Sequence, residues 1–500
     1  MSVKKNVVAN YLGQGWTALM GLAFVPVYIR YMGIEAYGLI GILALLQTWL
    51  SLLDMGMTPT LSREMASYTG GVRGAQSIRD LLRSIEILGV AVAITVALGI
   101  WMLSRRFATE WLHVEKIPID VVAQALSIMG IVMALRFLEN IYRSSIVGLQ
   151  KQVMLNTVTS AMATIRGLGA VGVLVWIQPT IKAFFIWQGI VSLATTALFA
   201  TVVYRELPRG DSPARLSVAA LADVWRFAAG TLTITLLGFV LSQTDKLILS
   251  SLLTLEEFGQ YTLAFAVASA IRLLAQPVDQ AIFPKLTELH QQGNAGLLAS
   301  TYHKANQFTV VLMGSAGAFV AIFGNSLLVI WTQDSVLAAA TYPIMSILVI
   351  GMVMNGLMNG PYYLQMAAGW TGLLVRVNIV MVIIFVPLVI WFTIEYRAIG
   401  AALAWCLLNL IYLLVVARFM HRRLLKDEMW NWYWKDIVFP LFPAIVVSAF
   451  AHQLLPKGGS NFVSAVYLCA CFVLILLSSS LASEHVRAAF LPKICGLLRK

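Results

Sequence analysis

Apolar stretches long enough to cross a bilayer recur from one end of this chain to the other, with short polar connections between them. Roughly 30 Å of hydrocarbon takes about 20 residues at 1.5 Å per residue. Fourteen stretches meet that length: 8–29, 37–58, 84–103, 121–142, 154–176, 182–203, 228–252, 258–281, 306–331, 342–366, 371–394, 399–420, 436–455 and 462–481. Within several of them the polar residues gather on one helical face. Asn10, Gln14, Thr17 and Gly21 follow i, i+4, i+7, i+11 spacing; Gln47, Ser51 and Asp54, then Arg272, Gln276 and Asp279, keep i, i+4, i+7. Asn355 and Asn359 mark one face of a further helix. Polar faces on several helices need a shared destination, and a water-filled cavity supplies one. The competing reading is that the Ser, Thr and Asn members hydrogen-bond one helix to the next.

A repeat organises these stretches. Ile34-Glu35-Ala36-Tyr37-Gly38 returns as Leu255-Glu256-Glu257-Phe258-Gly259, an offset of 221. Adding that offset to the first polar stripe gives Thr231, Thr235, Gly238 and Ser242, again a polar face, with Asp245 as its next member. Six stretches separate the copies, so both run in the same direction through the membrane, as parallel repeats. The expected fold is therefore all-α: a polytopic membrane protein of about fourteen transmembrane helices. Two six-helix lobes, 1–205 and 228–420, surround a central cavity, joined by a cytoplasmic linker, 206–227, with two extra helices over 436–481.

Composition agrees with the pattern. The chain of 500 residues is 59% hydrophobic and 12% charged, too few charges to keep a soluble domain of this size wet. Lys and Arg fall mainly on one side: with the N-terminus inside, the inner segments hold 24 of the 35 and the outer loops 7. The remaining four are Arg136, Arg166, Lys246 and Arg272, well inside predicted helices. Positive short loops stay cytoplasmic, so both termini are expected there. This bias also accounts for the net charge of +12, and no nucleic-acid partner is expected. Lys4 and Lys5 precede an apolar run too long for a signal-peptide core, which reads as an uncleaved first helix. The pattern Ile78, Leu81, Leu82, Ile85 among Arg79, Asp80 and Arg83 is expected to lie along the inner membrane surface.

A charge at bilayer depth is costly unless it faces protein or water, which makes such residues candidates for function. Cations in a cavity suit an anionic cargo, because guanidinium and ammonium groups bind phosphate strongly where water is scarce. Buried carboxylates suit ion or proton coupling. Arg136 and Glu139 stand three apart on one helix and are expected to neutralise one another unless the cavity claims them. Asp245 lies on the polar stripe, with Lys246 about 100° around the helix. Asp54 and Arg376 lie near the inner interface, within snorkelling distance of water. Glu110, His113, Glu115 and Asp120 in the longest outer loop match no metal-ligand spacing, and Cys406, Cys469, Cys471 and Cys495 form neither a disulfide framework nor a metal site. No P-loop is present, so transport driven by ATP hydrolysis in this chain is not expected, nor is a cofactor.

The stretch Tyr28-x-x-Tyr31-Met32-Gly33-Ile34-Glu35-Ala36-Tyr37-Gly38, followed by Leu53-Asp54-Met55-Gly56-Met57 and Arg63, resembles the polysaccharide transporter family. That family belongs to the multidrug, oligosaccharidyl-lipid and polysaccharide exporter superfamily. Gln243-x-Asp245-Lys246 with Phe258-Gly259-x-Tyr261 is similar to its signature in the second half. The resemblance implies a bacterial inner-membrane flippase of polyprenyl-diphosphate-linked oligosaccharide, serving O-antigen, capsule or exopolysaccharide assembly by alternating access. It implies basic cavity residues as cargo contacts and acidic ones as ion-coupling groups for protons or sodium; by depth and helix face the candidates here are Arg166, Arg272, Arg136 and Lys246 for the first role, and Asp245, Glu139 and Asp279 for the second. Membrane lipids and a polysaccharide polymerase are the implied partners. A lipid II flippase and a cation-coupled multidrug exporter of the same superfamily remain as alternatives. A membrane glycosyltransferase or ligase, which needs a sizeable outer loop or catalytic domain, is not expected.

Overall fold

The computed structural model describes residues 3–54, 56–71, 74–207, 213–217, 243–456 and 461–488, without the side chains of 3–8, 51, 371 and 374. Helices carry the fold throughout, and the described residues divide into two compact units, Met1–Gly259 and Gln260–Lys500.

In the first unit, α1 (Val3–Ala23), α2 (Val25–Met32) and α3 (Ile34–Leu53) follow one another closely. Gly33 at φ 84° separates α2 from α3, and Gly56 at φ 76° separates α3 from α4 (Met57–Thr69). Side chains with a Cβ adopt such angles at a steric cost, so glycine marks both breaks. Asp54 fixes the second one: its carboxylate accepts from the Thr58 amide at 3.1 Å and from the Thr58 hydroxyl. Then come α5 (Ala75–Arg106), α6 (Ile119–Gly148), α7 (Gln152–Gly172) and α8 (Ile181–Glu206), the last capped by Thr180. The next helix, α9, covers residues 243–252. α5 and α8 pack along α6, and α1 packs along α7.

The surface expectation for Ile78, Leu81, Leu82 and Ile85 is overturned, because all four are buried in protein. α5 runs unbroken through them for 32 residues, so this stripe is the core-facing side of a membrane-length helix. The polar side of the same turns receives the linker instead. Asp80 accepts from the Arg215 amide at 3.0 Å and Ser84 from the Ser217 amide at 2.9 Å.

The unit boundary falls inside α10 (Leu255–Arg272). α10 bends by 46° into α11 (Gln276–Gln291), which starts with a proline in its first turn and carries Pro284 inside. At the motif's offset of 221 this break answers to the α3–α4 break, Asp54 and Gly56 corresponding to Ala275 and Pro277. After α12 (Ala295–Thr309) and α13 (Ser315–Thr332), α14 (Ser335–Leu357) leads through α15 (Asn359–Ala367) into α16 (Thr371–Ile411). α17 (Ala417–Leu424), a single turn α18 (Met429–Asn431), α19 (Phe439–Gln453) and α20 (Asn461–Ala482) complete the unit.

A buried polar network ties the last helices to α12. His303 meets Asp436 through Nδ1 at 2.5 Å and Glu428 through Nε2 at 3.2 Å. Gln307 donates to the other Asp436 oxygen at 3.0 Å and accepts from Ser483 Oγ at 2.8 Å. Beside it, Tyr302 and His421 bond at 3.2 Å against the fully buried Trp432.

Among the described residues ten helices are long and apolar enough to cross a membrane, or eleven with the bent pair as one span. One of the ten is the 50-residue run Val375–Leu424, about 75 Å at helical rise and more than twice the hydrocarbon thickness. Arg397, at φ 52° and ψ −138°, breaks it between the predicted stretches 371–394 and 399–420. Most of the predicted stretch 228–252, with Thr231, Thr235, Gly238 and Ser242, lies outside the described residues. The chain is an all-α, multi-pass membrane protein.

Candidate functional site

Two adjoining cavities occupy the first unit, of about 530 and 270 Å³. The larger is polar. α6 supplies Arg136, Glu139, Asn140, Arg143, Ser144 and Val147 to its wall, the i, i+3, i+4, i+7, i+8, i+11 face of one helix, opposite Asp54 and Thr58. The smaller is mostly carbon, with Met20 and Gly21 of α1, Leu43 and Ala44 of α3, and the edge-to-face pair Tyr28 and Phe184. Gln47, Arg136 and Arg166 line both, so they stand where the two chambers meet.

Each arginine there is held by another residue of the cavity wall. Arg136 donates to Gln188 Oε1 of α8 at 3.1 Å. Arg166, on α7, lies 3.8 Å from the Glu139 carboxylate. Its carbonyl accepts from the Trp187 indole at 3.2 Å, which is possible because the indole lies across Gly169, where any Cβ would sit 2.0 Å from the ring. The expected neutralisation of Arg136 by Glu139 is thus replaced by an interhelical pair, with Arg166 delivered by α7 as the partner.

Three buried donors at this junction, Gln47 Nε2, Arg136 Nε and Arg166 Nε, and one acceptor, Glu139 Oε2, have no hydrogen-bond partner among the described residues. Unpartnered buried donors are costly, and two of these carry positive charge. The arrangement therefore has capacity for an acceptor-rich anion, and a planar guanidinium matches the oxygens of a phosphate in pairs.

The other sequence candidates lie elsewhere. Asp245 is 2% exposed and its carboxylate stands 3.7 Å from Lys246 Nζ, and neither residue lines the two cavities. Asp279, in the second unit, accepts from Asn359 at 2.8 Å and lies within electrostatic reach of Arg272. The stripe on α1 divides between its two readings. Asn10 bonds Gln152 at 2.9 Å and Asn156 at 2.6 Å, joining α1 to α7, whereas Thr17 and Gly21 line the smaller chamber. Asn355 likewise bonds Asn409 at 2.8 Å. Asn140 and Arg143 join the site without having been singled out, although their i+4 and i+7 spacing from Arg136 marks them. Gln188 carries no such mark, being one amide within an apolar stretch.

The sequence matches the family described as polysaccharide biosynthesis protein over residues 3–290. It is similar to a Shigella flexneri protein described as "Putative O-antigen transporter", with 19% identity over 416 residues, 81% of this chain and 94% of that one. In structure it is similar to the lipid II flippase MurJ in an inward closed conformation, with a TM-score of 0.72 and 12% identity, over 95% of this chain and 98% of that one. An inward-facing multidrug resistance MATE family transporter of the MOP superfamily gives a TM-score of 0.67 at 11% identity, over 83% and 96% of the two chains. At these identities the two structures establish a shared fold.

Proposed function

The chain belongs to the polysaccharide biosynthesis protein family, and from that premise we propose that it flips polyprenyl-diphosphate-linked oligosaccharide units across the bacterial inner membrane. Transport by alternating access then feeds O-antigen, capsule or exopolysaccharide assembly. The observation that carries this reading is the set of three buried donors without a partner among the described residues, two of them guanidinium nitrogens, where a polar and an apolar chamber meet. A diphosphate supplies the missing acceptors. The polar chamber suits the hydroxyl-rich sugar unit, with Asp54, Asn140 and Arg143 as hydrogen-bonding groups.

Glu139 gives the cavity a means of coupling. It occupies Arg166 in the described state, so an arriving phosphate must compete with it. A carboxylate released from its cation is free to take a proton or sodium ion, which is what exchange requires. Arg272 and Lys246 as further cargo contacts, and Asp245 and Asp279 as further coupling groups, belong to the same proposal. The Lys and Arg bias supports both termini in the cytoplasm.

The direct test is binding of a glycosylated polyprenyl diphosphate to the purified protein. Wild type binds it, and Arg136→Ala and Arg166→Ala each weaken binding at least about tenfold, the loss expected for one charge-assisted contact. Equal affinity in wild type and both variants would remove the arginine junction from the cargo site. Tighter binding of lipid II would move the assignment to that cargo.

A further inference from the structure

The two copies of the repeated motif meet each other inside the first unit. A Cβ on Gly38 would lie 2.4 Å from the carbonyl oxygen of Leu255, and a Cβ on Gly259 would lie 2.4 Å from that of Ile34. Each glycine thus accepts the backbone of the other copy, a reciprocal contact between the first turns of α3 and α10 of the kind found at two-fold interfaces.

One connection, between α5 and α6, fastens this crossing. The His113 carbonyl accepts from the Leu255 amide at 2.9 Å, and the Trp111 indole donates to Ser250 Oγ at 3.1 Å. Glu35, 4% exposed, accepts from the amides of Glu115 at 2.7 Å and Lys116 at 3.0 Å. The Lys116 ammonium pairs with Glu256. Glu35 and Glu256 are the same position of the repeat, 221 apart, so the two equivalent carboxylates grip one residue, one by its amide and the other by its side chain. Glu256 holds the Lys116 ammonium above the usual lysine range by hydrogen bond and charge. The crossing lies close to the smaller chamber: Ile40, two residues beyond Gly38, lines that chamber, about 3 Å further along α3.

We propose that Lys116 is a clasp that holds the first turns of α3 and α10 crossed, sealing the smaller chamber at this end, and that its release from Glu256 is a required step of each transport cycle. The backbone grip of Glu35 keeps the loop on α3 throughout, while the exposed ion pair to Glu256 is the part that opens. An exposed pair exchanges readily with water, whereas a buried carboxylate holding two amides does not. The charge bias puts this end of the unit on the outer side.

The experiment reads the seal without reference to any cargo. Cells carrying Ile40→Cys, with the four native cysteines replaced, are treated from outside with a membrane-impermeant maleimide. Labelling is expected to be slow in that protein and severalfold faster when Lys116→Ala or Glu256→Ala is added. The exchanged pair Lys116→Glu with Glu256→Lys is expected to restore slow labelling, which loss of folding could not do. Joining Lys116→Cys to Glu256→Cys with a bifunctional thiol reagent, whose disulfide-containing spacer replaces the length of the lysine and glutamate side chains, should stop polysaccharide export until the bond is reduced. Labelling unchanged by either alanine variant, or export continuing with the bond fully formed, would overturn the clasp. A normally clasped protein that supports no polysaccharide would instead count against the proposed cargo.

Discussion

Glu139 pairs with Arg166 on the neighbouring helix, at 3.8 Å, and not with Arg136 one turn away on its own. The pair is incompletely buried, Arg166 keeping 25% of its side-chain surface and Glu139 13%. Arg166→Ala should therefore destabilise by about 1–3 kcal/mol, below the cost of orphaning a fully buried charge. The double variant Arg166→Ala with Glu139→Gln is expected to regain membrane abundance without regaining export. Immunoblots of membranes and of surface polymer separate these outcomes, and restored polymer would show that Arg166 serves structure alone.

Glu139→Gln tests coupling. The amide keeps the shape of the side chain and can still face Arg166, but it cannot exchange a proton or hold sodium by charge. Export, or flipping in vesicles, should persist at a reduced rate and lose its dependence on an imposed ion gradient. A gradient dependence that survives would pass the role to Asp279 or Asp245.

Gly38→Ala and Gly259→Ala should each lower the melting temperature of the purified protein. The new methyl meets backbone that cannot rotate away, which costs about 1–3 kcal/mol in a packed site. Gly15→Ala, in α1, is the control, because a Cβ there meets none of the described residues within 4 Å. It should leave the melting temperature unchanged or raise it slightly, since alanine favours helix by about 1 kcal/mol over glycine.

Asp436→Ala removes the acceptor shared by His303 and Gln307. Leaving two buried donors unpaired should cost about 1–3 kcal/mol each. Proteolysis within residues 425–438 is expected to accelerate, as the segment preceding α19 loses its hold on α12. Digestion at the wild-type rate would show that apolar packing around Trp432 suffices.

Much of this was legible in the sequence because bilayer thickness and helical period constrain it so strongly. The cavity wall on α6 could be read from Arg136 and Glu139, since one helix face is fixed by spacing. What faces that wall is set by other helices, and no local pattern encodes it. That is why Glu139 finds Arg166, and why Asn10 turned out to join α1 to α7 while Thr17 lines a chamber. Ile78, Leu81, Leu82 and Ile85 misled for a related reason: an amphipathic stripe looks the same whether it rests on lipid or on protein. The 221-residue repeat was visible, but not that its two copies touch.

A residue gripped at once by both copies of a repeat has no counterpart of its own. Lys116 comes from a single connection, and that one loop meets both Glu35 and Glu256. A chain built by joining two copies of residues 1–205 would carry two of these loops competing for one seat, so internal likeness here stops short of interchangeability. The small difference between an amide grip and a side-chain grip is what gives the crossing a direction.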